Sequence, residues 1–166
     1  MTEQKGLILI NTGTGKGKTT AALGTAIRAW GNGQKVLILQ FIKGAWKYGE
    51  LKAIEALEAC NENIEIRPMG DGFVFHNRKE DEAAYQNKKE LAARAWETVV
   101  DEVMSDRWDL VVLDEVNYAI HFEMLEPEKL LKLIKERPPR LNMILTGRYA
   151  RPEIIEAADT ILSLIH

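Results

Sequence analysis

The segment Thr12-Gly13-Thr14-Gly15-Lys16-Gly17-Lys18-Thr19-Thr20 constrains this chain more than any other. An apolar run, Leu7-Ile8-Leu9-Ile10, precedes it, and a helical pattern opening Ala21-Ala22-Leu23 follows. Strand, glycine-rich loop and helix in that order are the setting of a phosphate-binding loop. Glycines let the backbone turn tightly enough for its N–H groups to converge on a polyphosphate. The start of the helix adds the positive end of its dipole. Lys18 is within reach of phosphate oxygens, and the Thr19 hydroxyl is placed to hold Mg²⁺. The loop departs from the common spacing. Counting back from Gly17 puts Thr12 where a first glycine is usual, and Lys16 adds a second positive charge. A glycine-rich turn that binds nothing would have no use for two lysines among three glycines.

The rest of the chain alternates short apolar runs with longer amphipathic ones. Strands are predicted at Leu7–Ile10, Val36–Phe41, Asn63–Arg67, Leu110–Leu113, Leu141–Leu145 and Ile161–Ile165. Helices are predicted at Thr19–Trp30, Glu50–Cys60, Lys79–Met104, Glu128–Glu136 and Glu153–Ala158, with a polar connection between residues 114 and 127. In the long helix Leu91, Ala95, Val99 and Val103 fall on one face. This alternation predicts an α/β fold, a mostly parallel sheet of about six strands with helices on both faces. No linker divides the sequence, and 166 residues with 46% hydrophobic content fit one domain over 1–166.

Composition narrows the function. A net charge of −3 lacks the basic footprint of nucleic-acid binding. Cys60 is the sole cysteine, which excludes an intrachain disulfide and a multi-cysteine zinc site; a buried structural thiol is expected there. Met1 to Gly6 is polar and charged, unlike a signal peptide, and no apolar run approaches the roughly 20 residues of a membrane span. A cytoplasmic protein with no membrane partner is the expectation.

The run Asp109-Leu110-Val111-Val112-Leu113-Asp114-Glu115 is an apolar strand ending in two carboxylates. In phosphate-loop proteins such a strand is expected beside the first, with its acid facing the metal. Asp114 and Glu115 are thus expected with Thr19 at a Mg²⁺ site, because Mg²⁺ prefers oxygen ligands. Capping of the following helix is the competing role for this acidic pair. Arg148, after Ile144-Leu145-Thr146-Gly147, would emerge at the carboxyl edge of the sheet, where ligands bind. A phosphate contact and a solvated surface arginine are equally open for it. His76, His121 and His166 have no metal-like spacing, and Trp30, Trp96 and Trp108 read as core. Trp46, Phe73 and Phe75 lie in glycine-punctuated loops, where they could line a pocket or anchor the loops. The residues alone support a Mg-ATP site beside an aromatic pocket and do not name the acceptor.

The combined motifs resemble the phosphate-loop type of ATP:corrinoid adenosyltransferase. The resemblance rests on Thr12 to Ala22; on Gln40-Phe41-Ile42-Lys43-Gly44 with Trp46, Gly49 and Glu50; on Met69-Gly70-Asp71-Gly72-Phe73; on Leu113-Asp114-Glu115 with Tyr118; and on Thr146-Gly147-Arg148. It covers nearly the whole chain and implies a RecA-like phosphate-loop NTPase fold. It further implies transfer of the 5′-deoxyadenosyl group of ATP to the cobalt(I) of a reduced corrinoid, with triphosphate leaving. ATP would lie across the loop in the reverse of the usual direction, exposing the ribose 5′-carbon. The implied nucleotide contacts are Thr12 to Thr20 with Arg148. Lys18, Thr19 and Glu115 would be the catalytic set, and Thr19, Asp114 and Glu115 the contacts to Mg²⁺ or Mn²⁺. Trp46, Phe73 and Phe75 would face the corrinoid, with Phe75 standing where some members carry tryptophan. A homodimer and an electron-donating reductase such as a flavoprotein are implied partners. Only six residues precede the first strand, and the chain stops at Leu164-Ile165-His166, so the N-terminal lid and C-terminal tail of longer members are expected to be missing or replaced. Two other readings are open. A conventional NTPase or kinase would release phosphate or a phosphorylated acceptor; an ATP-dependent corrinoid carrier would bind both ligands without turnover.

Overall fold

Each apolar run becomes a strand, and most amphipathic runs become helices. The computed structural model describes residues 5–41, 49–69 and 82–165. In order these form β1 (Ile8–Thr12), α1 (Lys18–Gly31), β2 (Val36–Gln40), α2 (Gly49–Glu58), β3 (Ile64–Pro68), α3 (Glu82–Met104), β4 (Leu110–Asp114), α4 (Val116–His121), α5 (Pro127–Glu136), β5 (Asn142–Thr146), α6 (Pro152–Glu156) and β6 (Thr160–Ser163). The strands make one sheet in the order β3-β2-β4-β5-β1-β6, and every neighbouring pair is parallel. Parallel neighbours require long crossover connections, and helices are the usual way to make them.

Alternate side chains of a strand point to opposite faces, so an internal strand feeds two cores. On β4, Val111 and Leu113 pack with Trp96, Val99 and Val103 of α3 and with Leu130 and Leu133 of α5. Leu110 and Val112 face the other way, toward Ala22 and Ala26 of α1 and Ile54 of α2. β2 and β4 are buried along their whole length, which is why their sequences show no polar alternation. The edge strand β6 is exposed throughout.

Four expectations need correction. The acid-bearing strand β4 is not beside β1; β5 lies between them. Two apolar strands of equal length offer no sequence cue to which neighbours β1. The supposed polar connection contains the helix α4, whose Val116, Ala119 and Ile120 are buried. At six residues it is too short to show a helical period. On α3 the inward face runs through Ala92 and not Leu91, which is 37% exposed. Cys60 is exposed, because it lies past the end of α2 rather than on its packed face. Trp96 and Trp108 are in the core as expected, and the partly buried Trp30 packs against the second core with its Nε1 donating to Asn61 Oδ1 (2.7 Å).

Candidate active site

Ligands of open parallel sheets bind beyond the carboxyl ends of the strands. There four adjacent strands exchange apolar for polar residues: Gln40 on β2, Asp114 on β4, Thr146 on β5 and Asn11 and Thr12 on β1, all buried. Gln40 is in register with Asp114, and Asn11 with Thr146. Buried polar groups are costly unless they are hydrogen-bonded. Here Asp114 supplies the acceptor. Its Oδ1 takes hydrogen bonds from Thr19 Oγ1 (2.8 Å) and Thr146 Oγ1 (2.7 Å), and its Oδ2 one from Gln40 Nε2 (3.1 Å). The phosphate loop and the acidic strand are thereby joined although β5 separates their strands.

Above this row lies a cleft of about 760 Å³, lined by residues 15–20, Leu23, Glu50, Glu115, Tyr118 and Arg148. That volume is in the range of small-molecule sites, about 300–1,000 Å³. Lys18 is buried and folds back into the loop, its Nζ donating to the carbonyls of Gly13 (2.9 Å) and Gly15 (2.5 Å). Burial pushes its ammonium below the ordinary lysine range; the Glu115 carboxylate opposes that shift and the Arg148 guanidinium adds to it. Lys18, Glu115 and Arg148 therefore share one local field.

Glu115 occupies the N-cap position of α4 with φ 64°, yet its side chain makes no capping hydrogen bond and lines the cleft instead. Arg148 reaches the same cleft because Gly147, at φ 129°, lets the chain pass under α4; a Cβ there would lie 2.8 Å from the Tyr118 nitrogen. The donors near Thr19 are hydroxyl and carboxylate oxygens, the class that Mg²⁺ and Mn²⁺ accept. Among the described residues no cluster of three or more His, Cys, Asp or Glu side chains could hold a metal alone. One hydroxyl with two carboxylates leaves positions for phosphate and water, which is how Mg²⁺ usually binds.

Thr12, Gly13 and Thr14 do not line the cleft. They meet the segment after β6. Leu164 N–H donates to the Thr12 carbonyl (2.9 Å), Gly15 N–H to the Leu164 carbonyl (2.7 Å), and Thr14 Oγ1 to the Ile165 carbonyl (3.1 Å). Of the loop N–H groups expected to converge on a polyphosphate, that of Gly15 is taken by Leu164. The strap leaves no mark in the sequence beyond an apolar ending. Glu50 and Tyr118 also line the cleft, without a site role from the motif chemistry. Trp46, Phe73 and Phe75 lie outside the described residues.

The family model for ATP:corrinoid adenosyltransferase BtuR/CobO/CobP matches residues 4–165. The chain belongs to that family. The corrinoid adenosyltransferase of Escherichia coli (strain K12) is 37% identical over 164 residues, covering 98% of this chain and 78% of that protein. Corrinoid adenosyltransferase CobA of Salmonella typhimurium is 38% identical, with the same shares covered, and the Pseudomonas aeruginosa enzyme is 36% identical over 98% of this chain and 76% of its own length. Among solved structures, the KaiC-like protein PH0186 of Pyrococcus horikoshii OT3 superposes with a TM-score of 0.54 at 22% identity, covering 98% of this chain and 74% of that one. That likeness shows the fold, a RecA-like phosphate-loop architecture. Membership makes the chain an enzyme, a corrinoid adenosyltransferase. No helix among the described residues is long and apolar enough to cross a membrane.

Proposed function

We propose that this enzyme, a single domain over residues 1–166, transfers the 5′-deoxyadenosyl group of ATP to the cobalt(I) of a reduced corrinoid and releases triphosphate, in adenosylcobalamin synthesis or salvage. The substrate cobalt(I) gives an electron pair to C5′; a cobalt–carbon bond forms, the C5′–oxygen bond breaks, and its electrons leave on the triphosphate. The cobalt ends two electrons more oxidised. No proton is required at the reacting carbon, so the work of the chain is positioning and stabilising charge. Lys16, Lys18 and Arg148 bring three cationic side chains to the cleft, the charge a whole departing triphosphate calls for. Lys18 exchanges its two loop carbonyls for phosphate oxygens, and Gly15 to Thr20, the part of the loop that lines the cleft, cradle the chain of phosphates. Thr19 and Glu115 hold Mg²⁺ directly, with Mn²⁺ as the alternative ion, and Asp114 orients Thr19. When bound, that ion neutralises charge on the leaving group. Trp46, Phe73 and Phe75 form an apolar face for the corrinoid. The working form is a cytoplasmic homodimer supplied with electrons by a reductase such as a flavoprotein.

One observation carries the reading: in a chain of this family, Lys18, Thr19, Glu115 and Arg148 surround one cleft, with Asp114 beneath Thr19. The test is anaerobic. Purified protein is mixed with Mg-ATP and chemically reduced cobalamin, and the light-sensitive adenosylcobalamin spectrum is followed. Its appearance with catalytic turnover is expected. Binding of both substrates without that product would overturn the reading.

A further inference from the structure

We propose that Thr146 is a positioning residue that sets both acids of the metal site through one hydroxyl. The inference rests on the metal site proposed above. Thr146 is 0% exposed, so it touches no ligand itself. Its Oγ1 accepts the Glu115 N–H (2.8 Å) and donates to Asp114 Oδ1 (2.7 Å). The direction of this relay is forced. A backbone N–H can only donate and an ionised carboxylate can only accept, so the single hydroxyl proton must point at Asp114.

Two consequences follow. Asp114 Oδ1 receives Thr146 and Thr19 together, so the Thr19 proton is held on Asp114 and its oxygen lone pairs are left for a cation. Glu115 is held at φ 64°, a conformation that non-glycine residues adopt rarely, and its N–H is the group Thr146 accepts. That backbone turn is what brings the Glu115 side chain to the cleft instead of onto α4. Thr146 is also in register with Asn11, whose Nδ2 donates to the Lys18 carbonyl (3.2 Å). The end of β5 thus ties the acids to the base of the phosphate loop.

Thr146→Val keeps the shape and removes the hydroxyl, while Thr146→Ser keeps the hydroxyl. ATP binding to the full chain is measured by calorimetry across a Mg²⁺ titration and again in chelator. The valine variant is expected to raise the half-saturating Mg²⁺ concentration by about tenfold or more, as loss of a ligand-orienting partner does. ATP binding in chelator and the serine variant are expected to stay within about twofold of wild type, a split that a general packing defect would not give. A folded valine variant with an unchanged Mg²⁺ titration overturns the proposal. If that variant does not fold, exchange in the wild-type protein decides: a Glu115 amide and a Thr146 hydroxyl proton that exchange slowly support the relay, and rapid exchange of either overturns it. ATP binding that ignores Mg²⁺ in the wild type overturns the metal site and this inference together. Mg²⁺-dependent binding with the expected valine shift but no adenosylated corrinoid overturns the proposed function and leaves Thr146 in its role.

Discussion

Replacing Gly13 by alanine separates the contact between the phosphate loop and the strap after β6 from backbone freedom alone. Gly13 sits at φ +96°, and a Cβ there would lie 2.1 Å from the Leu164 carbonyl oxygen and 2.7 Å from its nitrogen. Ordinary contact between carbons needs about 3.5 Å, so one of the two backbones must move by about 1 Å. The Leu164 N–H bond to Thr12 and the Gly15 N–H bond to Leu164 both hang on that spacing. Losing two such bonds costs about 2 kcal/mol. The left-handed conformation costs an alanine a further 1 to 2 kcal/mol or so, partly offset by about 0.5 kcal/mol from a stiffer unfolded chain. The expected destabilisation is about 3 kcal/mol, read from urea unfolding of the purified variant. Gly33→Ala is the control: its φ is +81°, but no heavy atom lies within 4 Å of the added Cβ. It is expected to lose only about 1 kcal/mol. Gly13→Ala should also weaken Mg-ATP binding, because Gly15 is displaced with the strap. Equal losses in the two variants, with ATP affinity intact, would refute the reasoning.

Lys18→Ala is expected to abolish adenosyl transfer, a loss of at least about 10²-fold in turnover, because its buried ammonium, held on the Gly13 and Gly15 carbonyls, sits inside the loop where the exposed Lys16 does not; a progress curve with chemically prepared cobalt(I) measures it. Phe73→Ala should mainly damage the reaction that starts from cobalt(II), because the resemblance implies that this aromatic ring displaces the lower axial ligand before cobalt(II) is reduced to cobalt(I); equal loss from cobalt(I) would contradict that role. Glu102 tests a structural network. Its carboxylate accepts from Arg67 (2.5 Å), Arg107 (2.6 Å) and Trp108 Nε1 (2.8 Å). Burial alone would raise its pKa, but the hydrogen bonds from Arg67 and Trp108 and the charges of Arg67 and Arg107 outweigh it, so it sits below the ordinary glutamate value of 4.5. A depressed carboxylate adds stability above that ordinary value and loses it as pH falls through the folded value. Glu102→Gln should therefore cost about 2 kcal/mol at pH 7, with the difference closing in acid, as unfolding curves at the two pH values would show.

Much of this molecule was legible because its elements obey simple periods. β2 and β4, apolar up to their last residues, read as internal parallel strands, and the glycine-rich loop as the link between a strand and a helix. The acids Asp114 and Glu115 were legible because an apolar run ending in two carboxylates has few other uses, and Asp114 does meet Thr19. What stayed hidden depends on contacts distant in sequence. The place of β5 between β1 and β4 is a pairing choice among similar strands. The strap at Leu164 uses backbone atoms, which every residue possesses, so no side-chain pattern could announce it. Thr146 stood in a quoted motif, but its dual bond to the acids needs the fold to bring residues 114, 115 and 146 together. On α3 the inward face runs through Ala95, Val99 and Val103 as read, and only its first position differs, where Ala92 and not Leu91 is buried.

The central claim is that the bond broken in ATP is the one at C5′ and that the triphosphate leaves whole. ATP labelled with carbon-13 at C5′ is incubated anaerobically with the protein, Mg²⁺ and cobalt(I) cobalamin, and carbon and phosphorus resonances are counted in the same sample. The account predicts one labelled carbon bonded to cobalt for every inorganic triphosphate released. Orthophosphate with the label still on a nucleotide would contradict it and make the protein a conventional nucleotide hydrolase.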